Sequence, residues 1–249
     1  MHFYLFDAFL ANPGYKKELE SIENRILDLG IGGRSTYLSV LKSFEDSLEN
    51  GLSKEITTCV LVGNDATLTK ALNILVTHNV TVGLIPIGKD CEMAHYLGLP
   101  RGVHGVDLIA NRLTEDLDLG KVGQQYFINS VTANTHDLTL KCDEEYELNF
   151  KKRLNLNICN LEANELGVAN PQDGWLEVWA YGETHSFLFG KKHLKWDSRL
   201  YHKKIQINAP KETSLLIDKH KIIKTPAIVE IAKEKIKFIV GRERVFRKG

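Results

Sequence analysis

Val60-Leu61-Val62-Gly63-Asn64-Asp65-Ala66-Thr67 begins the stretch that decides the fold, and Ile85-Pro86-Ile87-Gly88-Lys89-Asp90-Cys91-Glu92, followed by Leu97-Gly98-Leu99-Pro100, ends it. The run Thr58 to Val62 is short and wholly apolar after its first residue, the pattern of a strand covered on both faces in a parallel sheet. A turn of small residues follows. Leu68, Ala71, Leu72 and Leu75 then share one face of a helix, and Val80 to Ile85 returns to strand. Strand, helix and strand make a βαβ unit whose first turn carries Asp65 at the carboxyl end of its strand, where open α/β sheets place their ligands.

Working outward toward the amino terminus, Phe3 to Leu10 reads as a first strand and Asn12-Pro13-Gly14 as a helix start, with Asn12 as cap and Pro13 in the first turn. Leu19, Ile22, Ile26 and Leu29 form the apolar face of that helix, and Gly30 closes it. A second helix is predicted with Leu38, Leu41, Phe44 and Leu48 facing the sheet. Beyond Pro100 a helix through Val103, Val106, Ile109, Ala110 and Leu113 completes the α/β part. Near Leu117 the apolar period changes to two. Tyr146, Leu148 and Phe150 alternate with polar partners, Leu154, Leu156 and Ile158 do the same, and Trp175, Glu177 and Trp179 follow, with Gly, Asn and Asp between the runs. Such strands argue an antiparallel sandwich. The expected organisation is an α/β domain over 1–116 and an all-β domain over 117–249.

The 249 residues are 43% hydrophobic, enough for packed cores, and 32 Lys plus Arg balance 32 Asp plus Glu. With no global field, nucleic acid is not an expected partner, and attraction to an anionic surface has to be local. The best local candidate is Lys191 to Lys204, with six Lys or Arg against one Asp and with Leu194, Trp196, Leu200 and Tyr201 interleaved. It reads either as a membrane-surface patch or as an exposed basic loop with core anchors. Cys59, Cys91, Cys142 and Cys159 show no Cys-x-x-Cys spacing and read as reduced thiols of a cytoplasmic protein. The opening residues lack a basic leader, and no run approaches the ~18 to 20 apolar residues that span a bilayer.

The two loops of the βαβ unit resemble those of the diacylglycerol kinase catalytic-domain family, which includes bacterial lipid kinases and sphingosine kinases. The family's first turn is Gly-Gly-Asp-Gly-Thr, of which Gly63, Asp65 and Thr67 stand here; its second loop is represented by Pro86, Gly88 and Ala94, with Leu97 to Pro100 at the expected distance. Asp118-Leu119-Gly120 with Tyr126-Phe127-Ile128-Asn129, Asn160, Pro171-Gln172-Asp173-Gly174-Trp175-Leu176 and Leu216-Ile217-Asp218-Lys219-His220 follow in the family's order. The resemblance implies a parallel-sheet domain like that of the flavodoxins and NAD kinases, a β-sandwich, and a last strand, Ile228 to Val240, that runs back to the first domain. The NAD kinases share the first-turn pattern, but their Asn-Glu signature and Ser-Thr-Pro segment have no counterpart.

The activity implied is transfer of the ATP γ-phosphate to a lipid hydroxyl such as that of diacylglycerol, with Mg2+. Phosphoryl transfer of this kind rests on positioning and charge neutralisation. By resemblance Asn12, Gly63, Asn64, Asp65, Thr67, Gly88, Lys89 and Glu92 border the nucleotide. Asp173 is the direct metal ligand, with Asp65 and Asp218 linked through water. His220 stands where the family has a catalytic Glu, and a histidine can act as a base near neutrality. Plain structural readings stand beside these: Asn12-Pro13 as a βα turn, Asp173-Gly174 as a hairpin turn, and His220 as a solvated side chain. Several positions depart from the family. Asn64 and Ala66 replace glycines, and Ala66 would be strained if the turn required φ > 0 there. Lys70, Asp90, Cys91 and His220 also differ. These losses favour an alternative, a non-catalytic relative that keeps the fold and binds nucleotide or lipid without phosphotransfer.

Overall fold

A computed structural model describes residues 1–39, 41–164, 166–185 and 192–246, with the side chains of 183–185 and 192–197 outside the description. The chain divides into two compact units, Met1–Leu117 with Glu234–Gly249, and Asp118–Lys233.

In the first unit β1 (His2–Phe6), β2 (Gly33–Tyr37), β3 (Thr58–Gly63) and β4 (Thr81–Pro86) pair in parallel in the order β2-β1-β3-β4. Beyond β4 comes the end of the chain's last strand, where Phe238 lies opposite Val82. Every residue of β3 and β4 is buried, which is why both read as continuous apolar runs. The helices are α1 (Lys16–Asp28), α2 (Phe44–Gly51), α3 (Asp65–Thr77), α4 (Glu92–Tyr96) and α5 (Val103–Asn111). Ile22 and Ile26 of α1 and Val106 and Ile109 of α5 pack with Tyr4, Val60 and Ile85 of the sheet. Leu68, Ala71, Leu72 and Leu75 of α3 are all buried, each Leu stabilising the packing by roughly 1.5–3 kcal/mol.

Three expectations need correction. The first strand stops at Phe6, because the Asp7 carboxylate accepts from the Phe9 N–H and starts a 3-10 turn over Ala8–Ala11. Asn12 caps a second 3-10 turn, Pro13–Tyr15, and α1 begins only at Lys16. The predicted helix from Leu38 is largely absent. Gly33–Tyr37 is instead a polar, mostly exposed edge strand, Leu41 is 93% exposed, and α2 starts at Phe44 with Ser43 as its cap. An edge strand with little to bury carries no period-two apolar signal, so the sequence did not reveal it.

The second unit is antiparallel. Its strands are β5 (Thr114–Val122), which enters the unit at Asp118, β6 (Gln125–Phe127), β7 (Ser130–Thr135), β8 (Leu138–Cys142), β9 (Tyr146–Phe150), β10 (Leu154–Cys159), β11 (Ala163–Asn164), β12 (Gly167–Val168), β13 (Leu176–His185), β14 (Lys192–His202), β15 (Lys204–Asn208), β16 (Ser214–Ile217), β17 (Lys221–Lys224) and β18 (Ala227–Ile239). One sheet runs β14-β13-β10-β7-β16-β17. The other pairs the first half of β18 with β15, then β8 and β9. Val131, Leu156, Ile158, Val178 and Ile217 of the first sheet share one core with Leu140, Ile205, Ile207 and Val229 of the second. This is the antiparallel sandwich that the period change predicts.

Candidate functional site

The predicted nucleotide loops sit at the carboxyl ends of β3 and β4 and are bonded to each other. Ile87 N–H donates to Gly63 O at 2.7 Å, and Asp65 N–H to Asp90 O at 3.0 Å. The Asp65 carboxylate is buried and accepts through Oδ2 from Met93 N–H at 3.0 Å, at the start of α4. Its Oδ1 has no hydrogen-bond partner among the described residues. Burial pushes the Asp65 carboxyl up to about 6, although the amides of Met93, Glu92 and Ala94 pull it the other way. Asp65 is thus the bolt between the two loops, and its other oxygen remains to be satisfied.

Asn64 and Thr67 form a reciprocal cap on α3: Thr67 N–H donates to Asn64 Oδ1 at 3.3 Å, and Asn64 N–H to Thr67 Oγ1 at 3.1 Å. The Thr67 hydroxyl donates to Asp7 Oδ2 at 2.6 Å. Gly63 is required by this cap, since a Cβ there would lie 2.2 Å from Thr67 Oγ1. The expected strain at the lost glycines is not present. Asn64 is extended (φ −127°), and Ala66 lies in the first turn of α3, so neither takes the left-handed backbone for which glycine is needed. In the second loop Gly88 (φ 85°) does need it, and Asp90 (φ 56°) adopts it in spite of its side chain. Phe9 and Tyr15, edge to face at 5.6 Å, close over Gly88, and Arg101 donates to Gly88 O. Lys89 and Glu92 are exposed, as is Asn12, whose Oδ1 accepts from Gly14 N–H at 2.9 Å.

In the second unit the predicted acidic residues differ in kind. Asp218 is buried and saturated: Oδ1 accepts from Asn129 N–H at 2.9 Å and Ser130 N–H at 3.0 Å, and Oδ2 from Ile128 N–H at 3.2 Å. Asp218 (φ 47°) and Lys219 (φ 62°) form the left-handed hairpin turn from β16 to β17, which leaves His220 exposed with its N–H on Ile217 O. Asp173 binds Trp175 N–H through Oδ1 at 3.0 Å. Burial and then the neighbouring Asp118 charge raise the Asp173 carboxyl above its ordinary range. Asp118, given no role by sequence reasoning, is buried and accepts from Gly174 N–H at 2.9 Å. Asn160 donates to the carbonyls of Asp118 and Ile128. The side-chain oxygens of Asn160 and Asn129 are buried without hydrogen-bond partners among the described residues.

No group of three or more His, Cys, Asp or Glu side chains among the described residues is placed to hold a metal ion. Asp173 and Asp118 are a pair of neighbouring carboxylates, the kind of oxygen donors that a hard cation takes. Asp218 cannot contribute on the same terms, since three backbone amides already occupy it. Lys191 lies outside the described residues, as do the side chains of Lys192 and Lys195. The other three cations of the basic stretch are engaged: Arg199 with Glu177, Lys204 with Glu144 at 2.8 Å, and Lys203 over the Trp175 ring at 4.7 Å. Sequence reasoning also missed Asp7, whose one available signal was a carboxylate ending an apolar strand.

No family model matches the chain. The chain is 25% identical over 136 residues to a diacylglycerol kinase of Bacillus subtilis, a match covering 51% of this chain and 45% of that one. It is 31% identical over 128 residues to a diacylglycerol kinase of Staphylococcus haemolyticus, covering 48% of this chain and 39% of the relative. The matched stretch thus spans less than half of the length of these curated relatives. In fold the likeness is wider. The crystal structure of a diacylglycerol kinase from Bacillus anthracis superposes with a TM-score of 0.77 over 98% of both chains at 15% identity. Sequence likeness over half the chain and fold likeness over nearly all of it make this a diacylglycerol-kinase-like chain.

Proposed function

We propose that the chain is an ATP-dependent kinase of a lipid hydroxyl, with diacylglycerol or a close relative as acceptor. The observation that carries the reading is the bolting of the β3–α3 turn to the β4–α4 loop through Gly63, Asp65, Asp90 and Met93, which preserves a rigid ligand-facing edge although two glycines have changed. In this reading the phosphates lie beside the amino end of α3 and Gly88, with Lys89 as an exposed point charge, while the Asn64, Asp65 and Thr67 amides stay engaged within the loops. Asp173, supported by Asp118, would hold the magnesium ion, which when bound neutralises phosphate charge. His220 takes the proton of the lipid hydroxyl, and Asp218 shapes the turn that presents it.

A contact with an anionic lipid surface through 191–204 falls to the cations other than Arg199, Lys203 and Lys204, and it should weaken as salt shortens the screening length toward ~10 Å at 0.1 M. The deciding experiment measures transfer of labelled γ-phosphate from ATP to diacylglycerol in mixed micelles, with and without magnesium, alongside calorimetric ATP binding. Magnesium-dependent labelling that is lost in Asp173→Asn is the expected result. ATP binding without transfer would leave a nucleotide-binding relative, and no ATP binding at millimolar concentration would overturn the reading.

A further inference from the structure

Away from these loops, the second unit contains a constellation that a lipid kinase does not need. Tyr146, at the start of β9, lies with its hydroxyl 2.9 Å from His202 Nε2, and His202 Nδ1 lies 2.8 Å from Asp143 Oδ2. His202 is 6% exposed, whereas Tyr146 is 41% exposed, so a buried base lies against the hydroxyl of a partly exposed side chain. The Asp143 carboxylate is itself fixed, its Oδ1 accepting from Lys203 N–H at 3.0 Å and Lys204 N–H at 2.8 Å. Burial acts to lift the Asp143 carboxyl, but the His202 bond and these two amides hold it below its ordinary value. An ionised Asp143 requires the proton of neutral His202 on Nδ1, which leaves Nε2 as the acceptor for the phenol O–H.

We propose that Tyr146 is a base-activated nucleophile, a site at which the phenol oxygen takes an acyl group from a neutral activated ester. Nucleophile, base and orienting carboxylate are in hydrogen-bond sequence, the arrangement that activates a hydroxyl. The geometry also survives the proton transfer. Once Nε2 is protonated it can donate to the tyrosine oxygen, and the imidazolium keeps its bond to Asp143, so no contact has to break. Activation has to come from such concerted transfer, because burial and then the Cys142, Asp143 and Glu145 charges raise the phenol above its ordinary range. The electrophile's charge follows from the same surroundings. Glu145 and Glu147, the exposed chain neighbours of Tyr146, would repel a phosphoryl donor, Glu144 being paired with Lys204, while a neutral ester meets no such repulsion. In the step, the Tyr146 oxygen bonds to the carbonyl carbon, the bond from that carbon to the leaving alkoxide or aryloxide breaks, and the phenol proton passes to His202 Nε2.

The test treats the full chain with p-nitrophenyl acetate near pH 7.5, follows p-nitrophenolate release, and locates acetyl groups by peptide mass spectrometry. Tyr201 is the internal reference. It is 48% exposed, and its ring neighbour is the Arg199 guanidinium rather than a base. General-base assistance is worth typically 10²–10⁴-fold, so Tyr146 should acetylate at least ~10-fold faster than Tyr201 in the same molecule. His202→Gln should bring the two rates together, and Asp143→Asn should narrow the gap. Tyr146→Phe, which keeps the exposed ring and does not touch the buried histidine, should remove the fast phase of p-nitrophenolate release while leaving Tyr201 unchanged. Equal rates at Tyr146 and Tyr201 in the unmodified protein, or a fast phase that persists in Tyr146→Phe, would overturn the proposal whatever the stability of the other variants.

Discussion

Asp65 in the first unit and Asp218 in the second are both buried, both follow a strand, and both belong to motifs that the family resemblance singles out. Their surroundings assign them different work. Asp218 accepts three backbone N–H bonds, and its charge is spent holding the turn from Ile128 to Ser130. Asp65 is held on one side: Oδ2 accepts from Met93 N–H, Oδ1 has no hydrogen-bond partner among the described residues, and burial raises the carboxyl to about 6. A carboxylate saturated by amides stabilises the fold around it, whereas one that is desolvated and half satisfied is held at a cost that a ligand or a proton can relieve. Motif identity does not separate the two; the buried oxygen that the fold leaves without a donor does.

The largest effect that could break this comparison is at Asp218. Asp218→Ala leaves three buried amides without an acceptor and should destabilise the protein by at least ~3 kcal/mol, read as a lower urea midpoint. A loss below ~1 kcal/mol would show that water replaces the carboxylate and that Asp218 is not the structural partner of the pair. At the first turn, Gly63→Ala should cost about 1–3 kcal/mol, because the new methyl group displaces Thr67 from its cap and from Asp7. Thermal unfolding reads this directly, and an unchanged midpoint would mean that the close approach is easily relaxed.

The pH dependence sharpens the contrast further. The Asp65 carboxyl titrates near 6 in the folded chain against an ordinary 3.8, so between those values the folded state holds a proton that the unfolded state has released. Asp65 therefore lowers stability as pH rises from about 4 to 6, by roughly 3 kcal/mol, and this penalty persists above pH 6. Asp65→Asn keeps an acceptor for Met93 and removes the titration. Its stability relative to the unmodified protein should grow between pH 4 and pH 7 in denaturant titrations. Parallel profiles would mean that Asp65 is solvated after all. The smallest effect belongs to Ala66→Gly. Since Ala66 is helical, glycine should cost up to ~1 kcal/mol in stability and bring no gain in ATP affinity by calorimetry.

Much of the architecture was legible in the residues. Thr58 to Gly63 and Thr81 to Pro86 are buried on both faces and therefore apolar beyond their first Thr, and the alternation of Leu154, Leu156 and Ile158 marks a strand turned toward one core. Gly33–Tyr37 escaped because an edge strand buries little, and the stop at Phe6 escaped because it depends on where the Asp7 side chain turns. At the site, the resemblance to the family singled out Gly63, Asp65 and Thr67, but it could not say that Ala66 would be helical and unstrained. Nor could it join Asp118 to Asp173 or Tyr146 to His202, which are separated by 55 and 56 residues.

By itself, then, the sequence determined the buried strands and the helices that cover them, because burial imposes a period on the residues that serve it, but not the exposed edge strand Gly33–Tyr37. It also determined where along the chain the α/β part gives way to antiparallel strands. Only the tertiary structure decided which carboxylates are spent and which are available. That depends on how many amide donors the fold brings within about 3 Å of each oxygen, and those donors come from backbone remote in the chain, whose side chains carry no trace of the bond.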